Sequence, residues 1–394
     1  MTNNLTAEKW RISSIDILRG LVMIIMALDH VRDFFHISAM VEDPSNLNTT
    51  TPGLFFTRWI THYCAPIFVF LSGTSAFLSG QKKTKKELSS FLLKRGLFLM
   101  VLEIVVINFL VVFDPLYRFI GLQVIWVIGL SMVLLSFLLY LPLRVLFIVG
   151  IVMVAGHNML DGFNYNNMNE IPFWHAFFHQ QMFTSYAEGR FFAVLYPLIP
   201  WPGVMLLGYC MGAWYVKEFD AAKRKRLLLG WGSAIIIAFF VLRWVNVYGD
   251  LVPWSTQKDN TMTIISFFNV TKYPPSLLYL CMTLGPALLL LIWLEKVKAG
   301  WTNVVSVYGR VPMFYYLLHF FTIHVLCIIV FFATGRPISD IGAGNFAFRP
   351  NDFGFSLPIV YLIWIAVVAG LYPLCKQYDK YKLNNKQKWW TGYL

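Results

Sequence analysis

Charge is scarce in this sequence. Of its 394 residues only 13% are charged, about half the share of a soluble domain, which leaves too few charges to cover a water-facing surface of this size. Paired cysteines are missing too. The five cysteines (Cys64, Cys210, Cys281, Cys327 and Cys375) are isolated in or at the edges of apolar runs, and none makes a Cys-x-x-Cys or metal-ligand spacing. They read as small buried hydrophobes. Nor is there one basic face. The net charge of +12 is spread over alternate loops, a pattern set by membrane topology and not by a nucleic-acid partner. The N-terminus does not read as a cleaved signal peptide, because Asp16 and Arg19 interrupt its apolar stretch and the stretch continues past them.

What the chain has in excess is apolar length. Hydrophobic residues make up 58% and aromatic residues 17%, in runs of about 20, the length a helix needs to cross the hydrocarbon core. Lipid offers backbone groups no partner, so such spans must be helical. Ten candidate spans fall at roughly 14–36, 54–80, 87–113, 119–141, 143–160, 191–216, 227–249, 275–295, 304–333 and 355–375. The predicted fold is all-α: a polytopic transmembrane helix bundle forming a single integral-membrane domain over 1–394. One set of loops holds Lys9, Arg11, Lys82, Lys83, Lys85, Lys86, Arg144, Lys217, Lys223 to Arg226, Lys296, Lys298 and the tail from Lys376 to Lys388. The alternate set holds only Arg118, Arg190, Lys258, Lys272, Arg336 and Arg349. Basic loops stay cytoplasmic, which places both termini in the cytoplasm. The outer segments 37–53, 161–190, 250–274 and 335–354 are longer and rich in Asn, Trp, Phe and Tyr. They read either as lids over a site or as polar caps on the bundle.

Ionisable side chains within spans are costly and mark either a site or a buried pair. Asp16 and Arg19 are three apart near the cytoplasmic end of the first span and are expected to pair, with Gly20 admitting a neighbouring helix. A second cluster lies toward the outer end: Asp29, His30, Arg32, Asp33 and His36. Asp29 and Asp33 are one turn apart, as are Arg32 and His36, so a carboxylate can fix the tautomer of an imidazole and make it a base. A polar helix end meeting water explains Arg32 and Asp33 equally well, and His30 less well. Glu103 and Arg243 fall within spans and could neutralise each other. His175 and His179 have metal-compatible spacing if helical, without the glutamate of a zinc-protease pattern. No metal is expected. Span two carries a Ser72-Gly73-Thr74-Ser75 patch suited to close packing or to a ligand touching the backbone.

At these residues a family resemblance emerges. The run from Arg11 to Gly20, followed by Phe68 to Ser75, resembles the heparan-alpha-glucosaminide N-acetyltransferase family and its bacterial relatives. Arg95-Gly96-Leu97 with Leu102-Glu103 is similar to the family's third-span pattern, and Tyr308 to Pro312 to a late motif. The likeness is clearest over 11–110. It implies transfer of acetyl from cytosolic acetyl-CoA to an amino sugar across the membrane by a histidine near the outer side. In the wider superfamily of membrane acyltransferases that histidine lies eleven residues after the arginine of Asp-x-x-Arg-Gly, which here is His30. Human-type members resemble this chain less at that point, carrying Asn there and a later histidine, for which His36 is the nearest candidate. Where they have an acid, this chain has His62.

The resulting expectation is an acyltransferase of a bacterial inner membrane, with His30, Asp29, Asp33 and His36 as catalytic candidates. Arg19, Arg32, His62, Ser72, Ser75, Arg95 and Glu103 are the candidates for binding substrate or donor. The basic loop Lys82 to Lys86, with Lys94 and Arg95, would attract the phosphates of the donor, acetyl-CoA. Its partners would be a sugar or amino-sugar acceptor and the lipid bilayer, with homodimerisation left open. The competing class is a secondary transporter for a small polar solute, which would leave its cargo chemically unchanged.

Overall fold

The computed structural model describes residues 12–39, 41–163, 171–342 and 346–392. Lys9 and Arg11 lie outside the described residues. The chain is a bundle of helices: α1 (Ser13–Phe35), α2 (Pro52–Thr61), α3 (Cys64–Gly80), α4 (Lys85–Leu102), a π-helical turn (Glu103–Ile107), α5 (Asn108–Val112), α6 (Val124–Leu138), α7 (Leu143–Gly156), α8 (Phe173–Phe178), α9 (Trp201–Gly212), α10 (Ala221–Val245), α11 (Asn260–Phe268), α12 (Leu277–Leu294), α13 (Gly300–Arg310), α14 (Pro312–Ala333) and α15 (Leu357–Asn384). Local chemistry sets many of the starts. Thr84 and Glu87 form a reciprocal capping box at α4. The side chains of Asp220 and Ser276 accept from the first-turn amides of α10 and α12.

Seven helical segments among the described residues are long and apolar enough to cross a membrane: Pro52–Gly80, Lys85–Val112, Leu143–Gly162, Ala221–Val245, Leu277–Leu294, Pro312–Ala333 and Leu357–Asn384. Helix α1 carries too much charge to join them by composition. Its 23 residues nevertheless extend about 34 Å at 1.5 Å per residue, and it packs against α2, α3, α12, α13, α14 and α15 as the centre of the bundle.

Two expected spans are corrected. The stretch 119–141 opens as a strand, β1 (Phe119–Leu122), before the 15-residue α6. The stretch 191–216 opens as β3 (Arg190–Val194), and its helix, α9, is only 12 residues long. Pro197, Pro200 and Pro202 explain that late start, since each lacks an amide donor and disfavours helix in the residue before it. With β2 (Met182–Ala187) these strands form a sheet in the order β1-β3-β2, β1 running parallel to β3 and β2 antiparallel to it. Two other spans are broken: between α2 and α3 at His62 and Tyr63, and between α13 and α14 at Val311.

Small residues let the helices touch backbone to backbone. A Cβ on Gly20 would collide with the Val305 carbonyl, and one on Gly309 with the Asp16 carbonyl, so α1 and α13 meet through these two glycines. Gly73 and Gly208 do the same for α3 and α9, where the Thr74 hydroxyl donates to the Gly208 carbonyl at 2.9 Å. Gly309→Ala is therefore expected to destabilise the protein by about 2 kcal/mol, because the obstructing atom is backbone. Gly370→Ala, where a Cβ meets open space, leaves stability unchanged or slightly raised. Thermal melting of the purified protein in detergent compares the two.

Candidate active site

A buried carboxylate organises the C-terminal half of α1. Arg58 of α2 donates through Nη1 to both oxygens of Asp29, at 2.7 and 2.6 Å. Thr61 donates to Oδ1 at 3.0 Å, Arg32 Nη2 lies 3.0 Å from Oδ1, and Lys272 Nζ lies 3.7 Å from Oδ2. Arg32 also bonds Asp33 at 2.6 Å. The expectation that Asp29 or Asp33 orients His30 is thereby corrected: both carboxylates are taken by guanidinium groups, which offer charge-assisted bonds that a neutral imidazole cannot match. The pairings of His36 with Asp33 and Arg32 do not form either. Helix α1 ends at Phe35, His36 turns extended, and its Nδ1 meets the Ser38 hydroxyl at 3.0 Å while its carbonyl accepts from Arg349 at 2.8 Å.

His30 is left half-buried, and neither of its ring nitrogens has a hydrogen-bond partner among the described residues. Its ring centre lies 4.2 Å from that of Phe320 and 5.3 Å from that of His319, both on α14. His62 caps the C-terminus of α2, its ring edge-on to Tyr279 and its carbonyl accepting the Tyr279 hydroxyl at 2.9 Å.

Below His30 lies a cavity of about 300 Å³. Arg19, Met23 and Met26 line it from α1, Phe68, Ser72 and Ser75 from α3, Met132 from α6, and Met313 and Tyr316 from α14. Positions 19, 23, 26 and 30 follow one helical stripe, so His30 sits one turn, about 6 Å, beyond the last lining residue of α1. His319 and Phe320 sit one turn beyond Tyr316 in the same way. At the opposite end the described lining carries four cations, Arg19, Arg95, Arg310 and Lys382, and no carboxylate. This is the end bearing the lysine-rich turn before α4. Arg19 is braced by the Ser75 hydroxyl at 2.8 Å, the Gly309 carbonyl at 3.0 Å and, as expected, Asp16 at 3.3 Å. Arg310 is braced by Asp379 at 2.6 Å, and Arg95 meets the Gly392 carbonyl. Phe91 belongs both to the cavity and to a shallow surface groove with Thr84, Lys86, Glu87, Ser90 and Lys94.

Glu103 is not in the lining. It opens the π-turn, and its Oε2 accepts the first-turn amides of Ile125 and Trp126 at 3.1 and 3.2 Å, capping the N-terminus of α6. It does not neutralise Arg243, which instead donates to the carbonyls of Phe267, Val252, Ser266 and Asn269. His175 and His179 stand one turn apart as the spacing suggested, but His179 Nε2 binds Asp161 at 2.6 Å. Burial, with His179 beside it, lowers the His175 imidazole from its ordinary value. Among the described residues no three His, Cys, Asp or Glu groups gather as metal ligands.

The structure therefore gathers Arg19, Ser72, Ser75 and Arg95 around one cavity, leaves His30 one turn beyond its last α1 residue, and puts His36, His62 and Glu103 into structural contacts. It adds Arg58, Lys272, His319, Arg310, Lys382 and Tyr316. Arg58 and His319 carried a signal, being ionisable residues inside apolar runs. Lys272 carried none beyond its place beside two prolines. Because Asp29 is buried, Arg58→Met is expected to cost about 3–5 kcal/mol, read as a lower melting temperature.

No individual curated protein matches the chain. The sequence model described as heparan-alpha-glucosaminide N-acetyltransferase, catalytic, matches residues 11–254. That match runs from the start of α1 past the end of α10 and takes in His30, the serine patch of α3 and the cationic mouth as far as Arg95. With well over half its length matched, the chain belongs to the heparan-alpha-glucosaminide N-acetyltransferase family of membrane acetyltransferases.

Proposed function

We propose that this integral membrane protein takes acetyl from acyl-CoA on its basic, cytoplasmic side and delivers it to an amino sugar or sugar at the opposite face of a bacterial inner membrane. The observation that carries this reading is the cavity that runs from the four cations to Met26 and Tyr316, one helical turn short of His30. CoA is a polyanion joined to a thin, mostly apolar arm that ends in a thioester. Cations at a mouth and an apolar shaft above them match that order of charge and grease. Lys86 and Lys94 in the adjoining groove extend the positive field to a second phosphate group.

At the inner end the thioester would meet His30. A neutral imidazole there either removes the proton of the attacking acceptor or carries the acetyl as acyl-imidazole. Asp29, held by three cations, is engaged by them and is not the partner of His30. The aromatic outer segments supply flat faces for sugar rings.

The test is CoA release by the purified full-length protein with acetyl-CoA and a panel of amino sugars. Release that requires a sugar and is lost in His30→Ala supports the reading; full turnover by that variant removes His30 from the mechanism. Replacing Lys86 and Lys94 together by Gln is expected to raise the donor KM several-fold with kcat unchanged. That effect should shrink as salt rises, since the Debye length falls to about 3 Å at 1 M.

A further inference from the structure

His319 has an arrangement that packing does not explain. It lies fully buried on α14, its ring stacked on Tyr315 and tilted against Phe320. A phenyl ring would fill that place without leaving a polar atom unsatisfied. Its Nδ1 lies 3.0 Å from the Tyr315 carbonyl oxygen. A carbonyl brings no proton, so Nδ1 carries it, and in the neutral ring the free lone pair is at Nε2. That Nε2 is buried and has no hydrogen-bond partner among the described residues. Another imidazole, that of His30, lies beside it, 5.3 Å away between ring centres with the planes at 42°. The two rings are not hydrogen-bonded as they stand, but at that separation a turn of the His30 ring to point an edge at Nε2 brings the nitrogens to hydrogen-bond length, about 3 Å.

We infer that His319 is the proton acceptor for His30, the second imidazole of a two-histidine relay. This rests on the reading that His30 handles the acetyl transfer. The acceptor nitrogen attacks the acetyl carbonyl carbon, the C–S bond breaks, and the sulfur leaves with the electron pair as thiolate. The proton shed by the attacking amine goes to the bare nitrogen of His30. The other ring nitrogen of His30 passes its own proton to His319 Nε2. His319, still holding its Nδ1 proton on Tyr315, hands the Nε2 proton to the thiolate, and a flip of the His30 ring restores the starting tautomer. One N–H and one C–S bond are thus exchanged for one amide C–N and one S–H bond. The relay answers a problem of place: the acceptor loses its proton on one side of His30, and the thiolate needs one on the other.

The experiment uses purified full-length protein, acetyl-CoA and whichever amino sugar of the panel the wild type acetylates. His319→Asn keeps an amide N–H near the position of Nδ1 and removes Nε2. It is expected to lower kcat by roughly 100-fold with the donor KM unchanged. The dependence of kcat on the D₂O fraction, bowed for two protons in flight, should become linear. His319→Phe, which fills the packing site, is expected to be as slow, and melting temperatures identify which variant keeps the fold and is to be read. A folded variant with wild-type kcat overturns the relay, and so does a slowed one whose dependence stays bowed. If His30→Ala is dead while His319→Asn is normal, the transferase stands and the relay falls. A wild type that acetylates no acceptor overturns both.

Discussion

A carboxylate in the interior of a membrane protein can stay ionised only if positive charge is brought to it, and much of this architecture follows from meeting that need at Asp29. Arg58 comes from α2, Lys272 from the segment before α12, and Arg32 from the next turn of α1 itself. The pairing fixes α2 against α1, although α2 and α3 are separate pieces of what hydropathy reads as one span. It also draws the chain around Lys272 inward over the end of the bundle. Each guanidinium engaged there is unavailable to steer His30, so the imidazole stays chemically open beside a fully engaged ionic group. The ion-paired carboxylate and the imidazole without a hydrogen bond among the described residues belong to adjacent positions whose side chains leave α1 about 100° apart.

The apolar runs made the helices legible, because nothing but helix satisfies a backbone in lipid. Less legible was whatever depended on distant partners. The strand Phe119–Leu122 has no mark of its own and exists because Arg190–Val194 lies beside it. The prolines before Trp201 were visible, but the hydropathy of the whole run concealed the shortness of α9. In the site, the local rule of residues three and four apart gave Asp16 with Arg19 correctly and Asp29 or Asp33 with His30 wrongly. The difference is competition. Arg19 keeps Asp16 at 3.3 Å while also bonding Ser75 and Gly309, whereas Arg58, which lies 29 residues further along the chain, offers Asp29 a better bond than any neighbour on its own helix.

The cavity itself was legible only in pieces. Arg19, Ser72, Ser75 and Arg95 were singled out from motifs on three different spans, and glycines seat two of those spans against later helices. Gly20 and Gly309 allow α13 to carry Arg310 to the mouth, while Gly73 and Gly208 seat α3 deeply enough for Ser72 and Ser75 to face the lumen. Arg310 belongs to the late motif that begins at Tyr308, beyond the region where sequence likeness is clearest. Packing thus unites segments that sequence comparison treats separately.

Four of the side chains around the shaft are methionines: Met23, Met26, Met132 and Met313. Thioether side chains are unbranched and repack at little cost, so a wall made of them yields where branched aliphatic residues would not. If the shaft carries the donor as proposed, one added methylene on the transferred group would meet little resistance along it. The stiff aromatic surface of Phe320, 4.2 Å from the His30 ring, is where extra length would first be felt. Under the proposed function, discrimination against bulkier acyl groups would fall at Phe320 beside His30, and donor scope would be tunable there without rebuilding the methionine-lined path.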